Sequence, residues 1–429
     1  MYSGRTPTLD VSDPDFAKQV LIDNFNQFRN RKKPTVTQRP LDKGIKLSRN
    51  ENWRHARNLL SPTFTSEKLK EMVPLLNKCA ETMVKNCSKL CESNQAIEVK
   101  GIFGAYAMDC IASCAFGVEI DSLNDPNNEF VRNAKMVLTF SKMDPWLFMS
   151  LFFPFVGRML DIFNYSVFSR KVTNFFFNET AKIIDVRKKE ERPRKDFVHF
   201  MLNAHKTSSG DSDKEKYRYH GMANDEITAN SLTFFLESYD TISTCLGFTS
   251  YLLATNSEVQ QKLIQQIDKV VAMHGRVTYD ALNDMPYLDM VISESLRMYP
   301  PAVFLERECE KDVIIKDIPI HKGIGVTINV WAIQHDSEIY PEPDKFIPER
   351  FTAEQKSKRP SCSFLAFGVG PRSCIGMQFA LAECKMALVQ ILKRFTFETC
   401  GQTEIPLVLG KMVELAPSMG ITLKFKKRQ

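Results

Sequence analysis

The chain of 429 residues contains no run of eighteen or more apolar residues, so no segment is long and apolar enough to cross a bilayer as a helix. No linker divides it and no internal repeat is evident, which leaves residues 1–429 as one folded unit. Histidine is scarce, and the cysteine pairs with helical i,i+4 spacing, Cys87 with Cys91 and Cys110 with Cys114, have no histidine at metal-ligand spacing. Those pairs therefore read as core packing. Net charge is also small for the length: +6 is too modest for nucleic acid binding, which is not expected of this chain. What is abundant is material for a core, with 43% hydrophobic residues, 25% charged and 31 Phe. The stretch from His205 to Asp225 is polar and almost without apolar residues, and is expected to be a mobile loop between helices.

One segment carries more chemistry than the rest. It runs Phe367, Gly368, Val369, Gly370, Pro371, Arg372, Ser373, Cys374, Ile375, Gly376 and leads at once into an amphipathic run to Phe395. A thiol kept ionised as a metal ligand needs positive potential, and Cys374 stands where a helix is expected to open, with free backbone N–H groups and Arg372 beside it. Gly368, Gly370 and Gly376 let the backbone turn sharply and lie close to a flat macrocycle. The plainer reading, a buried free cysteine, accounts for Cys374 but not for the Phe, Gly and Arg positions around it. Together they resemble the heme-thiolate signature of the cytochromes P-450, Phe-x-x-Gly-x-Arg-x-Cys-x-Gly, filled here by Phe367, Gly370, Arg372, Cys374 and Gly376.

The resemblance extends along almost the whole chain. It implies a mainly α fold with a small β-rich lobe, one catalytic domain over residues 1–429, iron protoporphyrin IX (heme b) as cofactor, and Cys374 as the iron ligand. It further implies a buried structural triad of Glu294, Arg297 and Arg350; without it, Glu294 and Arg297 would read as a solvated i,i+3 pair on the helix expected from Pro286 to Pro300. Trp53 and Arg57 resemble the Trp-x-x-x-Arg helix that holds a heme propionate, with Arg307 and Arg372 at other propionate positions; an Arg fork suits a carboxylate. Lys32 falls where relatives carry an Arg for the same purpose. Ser231 to Asn256 has the apolar periodicity of a long buried helix, and within it Asp240 and Thr241 match the acid and Thr that help deliver protons to oxygen. A Thr there can bend the helix by bonding back to a carbonyl. Two neighbours depart from the family pattern: Ser238 replaces a Gly, and Glu237 replaces a small residue. If Thr241 faces the reaction centre, 237 and 238 share its face, and Glu237 is expected either as a protonated acid or, as in the fatty-acid hydroxylase branch, esterified to a heme methyl.

Other expectations follow from the same likeness. Pocket walls are assigned to Phe234 and Phe235, to Ala302, Val303 and Phe304, and to Met412 and Val413. Strands are expected at Val313-Ile314-Ile315-Lys316 and at Val326-Thr327-Ile328-Asn329-Val330. The likeness is strongest toward the three-A subfamily of the vertebrate enzymes, through Leu60-Ser61-Pro62-Thr63-Phe64, Phe103-Gly104-Ala105-Tyr106 and Ile120-Asp121-Ser122-Leu123-Asn124. It implies a microsomal enzyme on the cytosolic face of the endoplasmic reticulum membrane, with NADPH electrons arriving through NADPH-cytochrome P-450 reductase, cytochrome b5 as a further partner, and a lipophilic small molecule as substrate. The eleven cysteines are then free thiols, and the acceptor pattern Asn178-Glu179-Thr180 goes unused. The aromatic stretch from Trp146 to Phe168, interrupted by Pro145 and Pro154, reads as core or as a shallow contact with the membrane surface. Full-length microsomal members begin with an anchor and a proline-rich hinge; this chain enters the pattern about seventy residues later, inside the first sheet, and is expected to be a fragment, a mis-called start or a shortened isoform. Thromboxane synthase, a near relative sharing Met298-Tyr299-Pro300-Pro301-Ala302, isomerises an endoperoxide and lacks a Thr matching Thr241. Three readings stay open: a monooxygenase, an oxygen-independent isomerase, and an inactive heme-binding fragment.

Overall fold

The computed structural model describes residues 2–3, 6–32, 40–93, 95–138, 145–163, 165, 169–189, 194–207, 222–410 and 415–428. Much of the His205–Asp225 stretch, together with Phe168, Met412 and Val413, lies outside the described residues. The architecture is mainly α with small β-sheets, as the sequence implies.

The helix Asn224–Thr255 is the axis of the molecule and is buried along most of its length. It begins earlier than its apolar periodicity does, because its first turns are polar: Asp225 and Glu226 sit at the positive end of the helix dipole, and Glu226 Oε2 accepts the Ala223 N–H at 2.8 Å. The helix Val99–Ala115 packs along it, close enough that Gly104 admits the Tyr239 ring where a Cβ would meet Tyr239 Oη at 2.8 Å. The helices Ser66–Glu92, Pro286–Met298 and Met377–Leu392 complete the main body, and one large hydrophobic cluster fills the space between them. Cys87, Cys110 and Cys114 are buried in that cluster, Cys91 packs against it, and all eleven cysteines are free thiols.

A second cluster underlies a four-stranded sheet in the order Tyr2–Ser3, Thr6–Val11, Gly325–Asn329, Phe304–Glu308. Thr6–Val11 runs parallel to Gly325–Asn329, with Thr8 opposite Gly325, and Phe304–Glu308 is antiparallel, with Arg307 opposite Val326. The run expected to continue to Val330 stops at Asn329, whose side chain accepts the Ala332 N–H at 3.0 Å and caps a short helix, Val330–Gln334. Val313–Ile315 pairs with Ile318–Ile320 as a hairpin whose turn residues, Lys316 and Asp317, have positive φ. Ile97–Glu98, Thr422–Lys427 and Phe395–Glu398 make a third sheet. The amphipathic run after the cysteine segment therefore ends as a helix at Leu392, and Phe395 opens a strand.

The two prolines of the aromatic stretch each open a helix, Pro145–Phe152 and Pro154–Ile162. The aromatic side chains here are not core: Phe148 is 63% exposed and Phe155 65%, and Trp146, Phe152, Phe153 and Phe163 are also exposed. Among the described residues no helix is long and apolar enough to cross a membrane.

Candidate active site

Beyond its first turn the long helix has only two exposed residues, Glu237 and Thr241. They lie i,i+4 on one face of an otherwise packed helix, so that face is the one the fold leaves accessible. Cys374 is accessible too and lies within electrostatic reach of Glu237, yet protein surrounds it closely enough that desolvation, the largest influence, pushes the thiol up, and the Glu237 charge pushes the same way. The Gly376 backbone N–H, Arg31 and Arg57 pull it down without reversing the direction. The positive potential expected at this loop is present but does not outweigh burial; a thiolate here depends on a bound metal, which deprotonates a coordinating thiol outright.

The loop that carries Cys374 is held by its own backbone. Cys374 N donates to Phe367 O at 2.8 Å, Ser373 N to Gly370 O at 3.0 Å and Gly368 N to Leu365 O at 2.8 Å. Gly368 and Gly370 have φ of 64° and 75°, and a Cβ on Gly370 would overlap the Leu21 carbonyl. Gly376, with φ of −88°, serves as the N-cap of Met377–Leu392, so the helix opens two residues after Cys374.

The triad anchors this loop from behind. Glu294 and Arg297 are fully buried and joined by two hydrogen bonds, 2.7 Å from Nε and 2.9 Å from Nη2, and Arg350 Nε donates to Glu294 Oε1 at 3.2 Å. Arg297 Nη1 donates to the Gln334 carbonyl at 2.9 Å, and the Gln334 side chain accepts the Leu365 N–H at 2.8 Å, two residues before Phe367. The charges are thus spent on backbone groups that fix the loop's entry.

On the other side stands a cluster of guanidinium groups. Burial, then Arg31, brings Arg307 down to about 9; burial, then Arg31, Arg307, Arg49 and Arg57, does the same to Arg372. Arg372 lies over the Trp53 ring at 4.8 Å and donates to the Ser48 carbonyl, while Arg57 Nη1 donates to Ser373 O at 2.9 Å. Arg49 pairs with Glu308 at 3.0 Å. Among the described residues, Arg307 Nε and Arg372 Nε have no hydrogen-bond partner.

Within the long helix, Thr241 Oγ1 donates to Glu237 O at 2.5 Å, the backbonding expected of it. Asp240 pairs with Lys100 Nζ at 3.8 Å. Glu237 is not the lone buried acid that the sequence suggests: it is accessible and pairs with Lys46. Ser238 is half-buried and turns from the exposed pair toward Met377–Leu392, where its Oγ lies 3.4 Å from Glu383 Oε2; Glu383 is fully buried, and burial holds its carboxyl well above the usual carboxylate range.

Of the pocket residues, Ala302 and Phe304 are exposed and Val303 is half-buried at the start of the sheet. Phe235 is corrected to a core residue: two positions from Glu237, it points about 200° around the helix and packs among Phe116, Phe130 and Phe176. Phe234 is likewise covered, by Phe64 and Phe197.

A profile of the family described as Cytochrome P450 matches residues 1–425. Cytochrome P450 3A12 of Canis lupus familiaris is 41% identical over 432 residues, which cover all of this chain and 84% of that protein. The chain belongs to the cytochrome P450 family. Cytochrome P450 3A29 of Sus scrofa is 40% identical over 432 residues and cytochrome P450 3A7 of Homo sapiens 40% over 430, with the same coverage. As a cytochrome P450 the chain is a monooxygenase of the heme-thiolate type, which implies heme, a redox partner and a lipophilic substrate.

The residues present fit heme. Several guanidinium groups buried together, two with an unpartnered Nε, are costly unless anions join them. Two propionates are such anions, and the cluster lies beside the loop that presents Cys374. Arg31, which the sequence reading missed, belongs to this cluster, whereas Lys32 makes no hydrogen bond or ion pair among the described residues. The two are neighbours, and a one-residue register choice is not decided by composition. Lys46, Ser48 and Glu383 were also missed, since their roles arise from contacts distant in sequence.

Proposed function

We propose that the chain takes NADPH electrons through NADPH-cytochrome P-450 reductase, with cytochrome b5 as a second donor, and inserts oxygen into a lipophilic substrate at the cytosolic face of the endoplasmic reticulum membrane. One catalytic domain over residues 1–429 would do this. The observation that carries the reading is Thr241, on the accessible face of the long helix beside Glu237, whose charge reaches Cys374; the space between that face and Cys374 would be the chamber for oxygen and substrate. Heme, when bound, would supply reductive activation of dioxygen, and Cys374 would hold its iron. Arg31, Arg57, Arg307 and Arg372, with Trp53 against Arg372, would orient it through its propionates; Phe367 and Gly376 flank the ligand. Thr241 holds a proton at its Oγ inside the chamber, and Asp240, toward Lys100 and the surface, resupplies it. Ala302, Val303 and Phe304 line the substrate side. Glu294, Arg297 and Arg350 keep the loop in register. The exposed aromatic helices support a membrane contact, and the net charge of +6 suits an anionic surface and an acidic electron donor.

The test is to express the chain with heme supplied, record the reduced carbon monoxide difference spectrum, and assay oxidation of lipophilic substrates with and without reductase. A strongly red-shifted Soret band and NADPH- and reductase-dependent product formation are expected. Turnover of an endoperoxide that ignores reductase would replace this reading with an isomerase, and a band typical of a neutral ligand would end it.

A further inference from the structure

We propose that the ion pair of Lys46 and Glu237 reads the substrate, selecting a lipophilic molecule that carries a carboxamide. The inference rests on the chamber being the substrate site, as proposed above.

Lys46 does not reach Glu237 by chance of a flexible side chain alone. Its turn is fixed on the long helix: Ile45 N donates to the buried Asn230 Oδ1 at 2.9 Å, Ser48 N to Gly44 O at 3.0 Å, and Gly44 lies so near Thr233 that a Cβ would overlap Thr233 Oγ1. Thr233 is one helical turn before Glu237. Two residues after Lys46, the Ser48 carbonyl accepts from Arg372, so the same segment runs from the long helix to the arginine cluster. The pair is accessible, with side chains 44% and 47% exposed, and Glu237 is near enough to Cys374 for its charge to act on the thiol. It is therefore a polar feature of the chamber wall, facing the space where a substrate would lie.

The pair also has capacity to spare. Lys46 uses one of three N–H donors and Glu237 one of two carboxylate oxygens, Oε1; among the described residues Oε2 has no hydrogen-bond partner. A substrate carboxylate taken by Lys46 would lie beside Glu237, like charge against like, and a substrate ammonium taken by Glu237 would lie beside Lys46. A carboxamide avoids both conflicts. Its carbonyl accepts from Lys46 Nζ, its N–H donates to Glu237 Oε2, and the ion pair stays whole. An ester or ketone satisfies only the acceptor half.

The heme-loaded full chain should be titrated with dodecanamide, methyl dodecanoate, dodecanoate and dodecyltrimethylammonium, with binding read by equilibrium dialysis and by the shift of the Soret band. The amide should bind about tenfold more tightly than the ester, a difference of one hydrogen bond to a charged group. Lys46→Met and Glu237→Leu should each remove that preference, with the carbon monoxide spectrum still of the thiolate type. Tightest binding by the carboxylate or the quaternary ammonium, or an amide preference that survives both substitutions, overturns the inference and leaves the monooxygenase reading standing. Loss of the thiolate spectrum in the unsubstituted chain would overturn both.

Discussion

The Thr241 hydroxyl donates to the helix's own backbone in this structure and has to break that bond to serve a proton elsewhere. Thr241→Ala removes the hydroxyl while keeping the helix, so product formed per electron consumed should fall by about tenfold or more, with peroxide appearing instead and heme content unchanged. Measuring product and peroxide against NADPH oxidised checks this; full coupling in the variant would remove Thr241 from the proton path. A second residue ties the fold to pH. Burial lifts the Asp109 carboxyl from 3.8 to about 7, against lowering by hydrogen bonds from Ser122. The folded state therefore keeps a proton that the unfolded chain releases, and stability falls as pH rises from roughly 4 to roughly 7, then levels off. Asp109→Asn, whose amide oxygen can still accept the Ser122 N–H, should gain on the parent across that window, by at most about 4 kcal/mol. Denaturant titrations at several pH values will show a widening gap; a constant gap would count against the assignment. At this scale the sequence was legible where a motif fixes position, as at Cys374, Arg372 and Glu294. It was not legible where a partner comes from far along the chain, as Lys46 does for Glu237 or Glu383 for Ser238.

Among the elements, the cysteine loop has the narrowest tolerance. Gly370 needs positive φ and presses on the Leu21 carbonyl, so Gly370→Ala combines strain and overlap, a cost on the order of 1–3 kcal/mol or more. Thermal unfolding should drop by several degrees for Gly370→Ala, whereas Gly376→Ala, at negative φ and with Phe64 no nearer than 3.9 Å, should leave it almost unchanged. Equal effects would mean that the turn is not the constraint. Behind the loop, Glu294→Gln would leave Arg297 and Arg350 short of a charge partner in a dry site, costing about 3–5 kcal/mol. Heme content per folded chain should fall with it, and retention of full heme content would show that Gln334 and Leu365 hold the loop without the triad. The helices were readable from periodicity, but their ends were set by other chemistry. Acidic first turns extended the long helix toward its N-terminus, and an Asn cap cut the Gly325–Asn329 strand short.

For the whole molecule, the two proline-started helices concentrate exposed aromatic side chains in one stretch, where scattered single exposures would need no explanation. Replacing Phe148 and Phe155 with Ser should lower the fraction that sediments with anionic phospholipid vesicles severalfold, without altering the carbon monoxide spectrum. Unchanged sedimentation would point to another surface. Composition could not separate core from contact for this stretch, because both want aromatic residues; only the packing decides. The largest consequence of the topology concerns order of assembly. Thr8 finds its strand partner at Gly325, Gly370 rests on Leu21, and Arg372 on Ser48, so both ends of the chain must meet before the cofactor's binding site exists. Such distant pairings form late and leave apolar surface uncovered until they do. A ribosome has therefore passed the cysteine loop before the chain can capture heme, and nascent chains stopped short of that loop should depend on chaperones for as long as they stay unfinished.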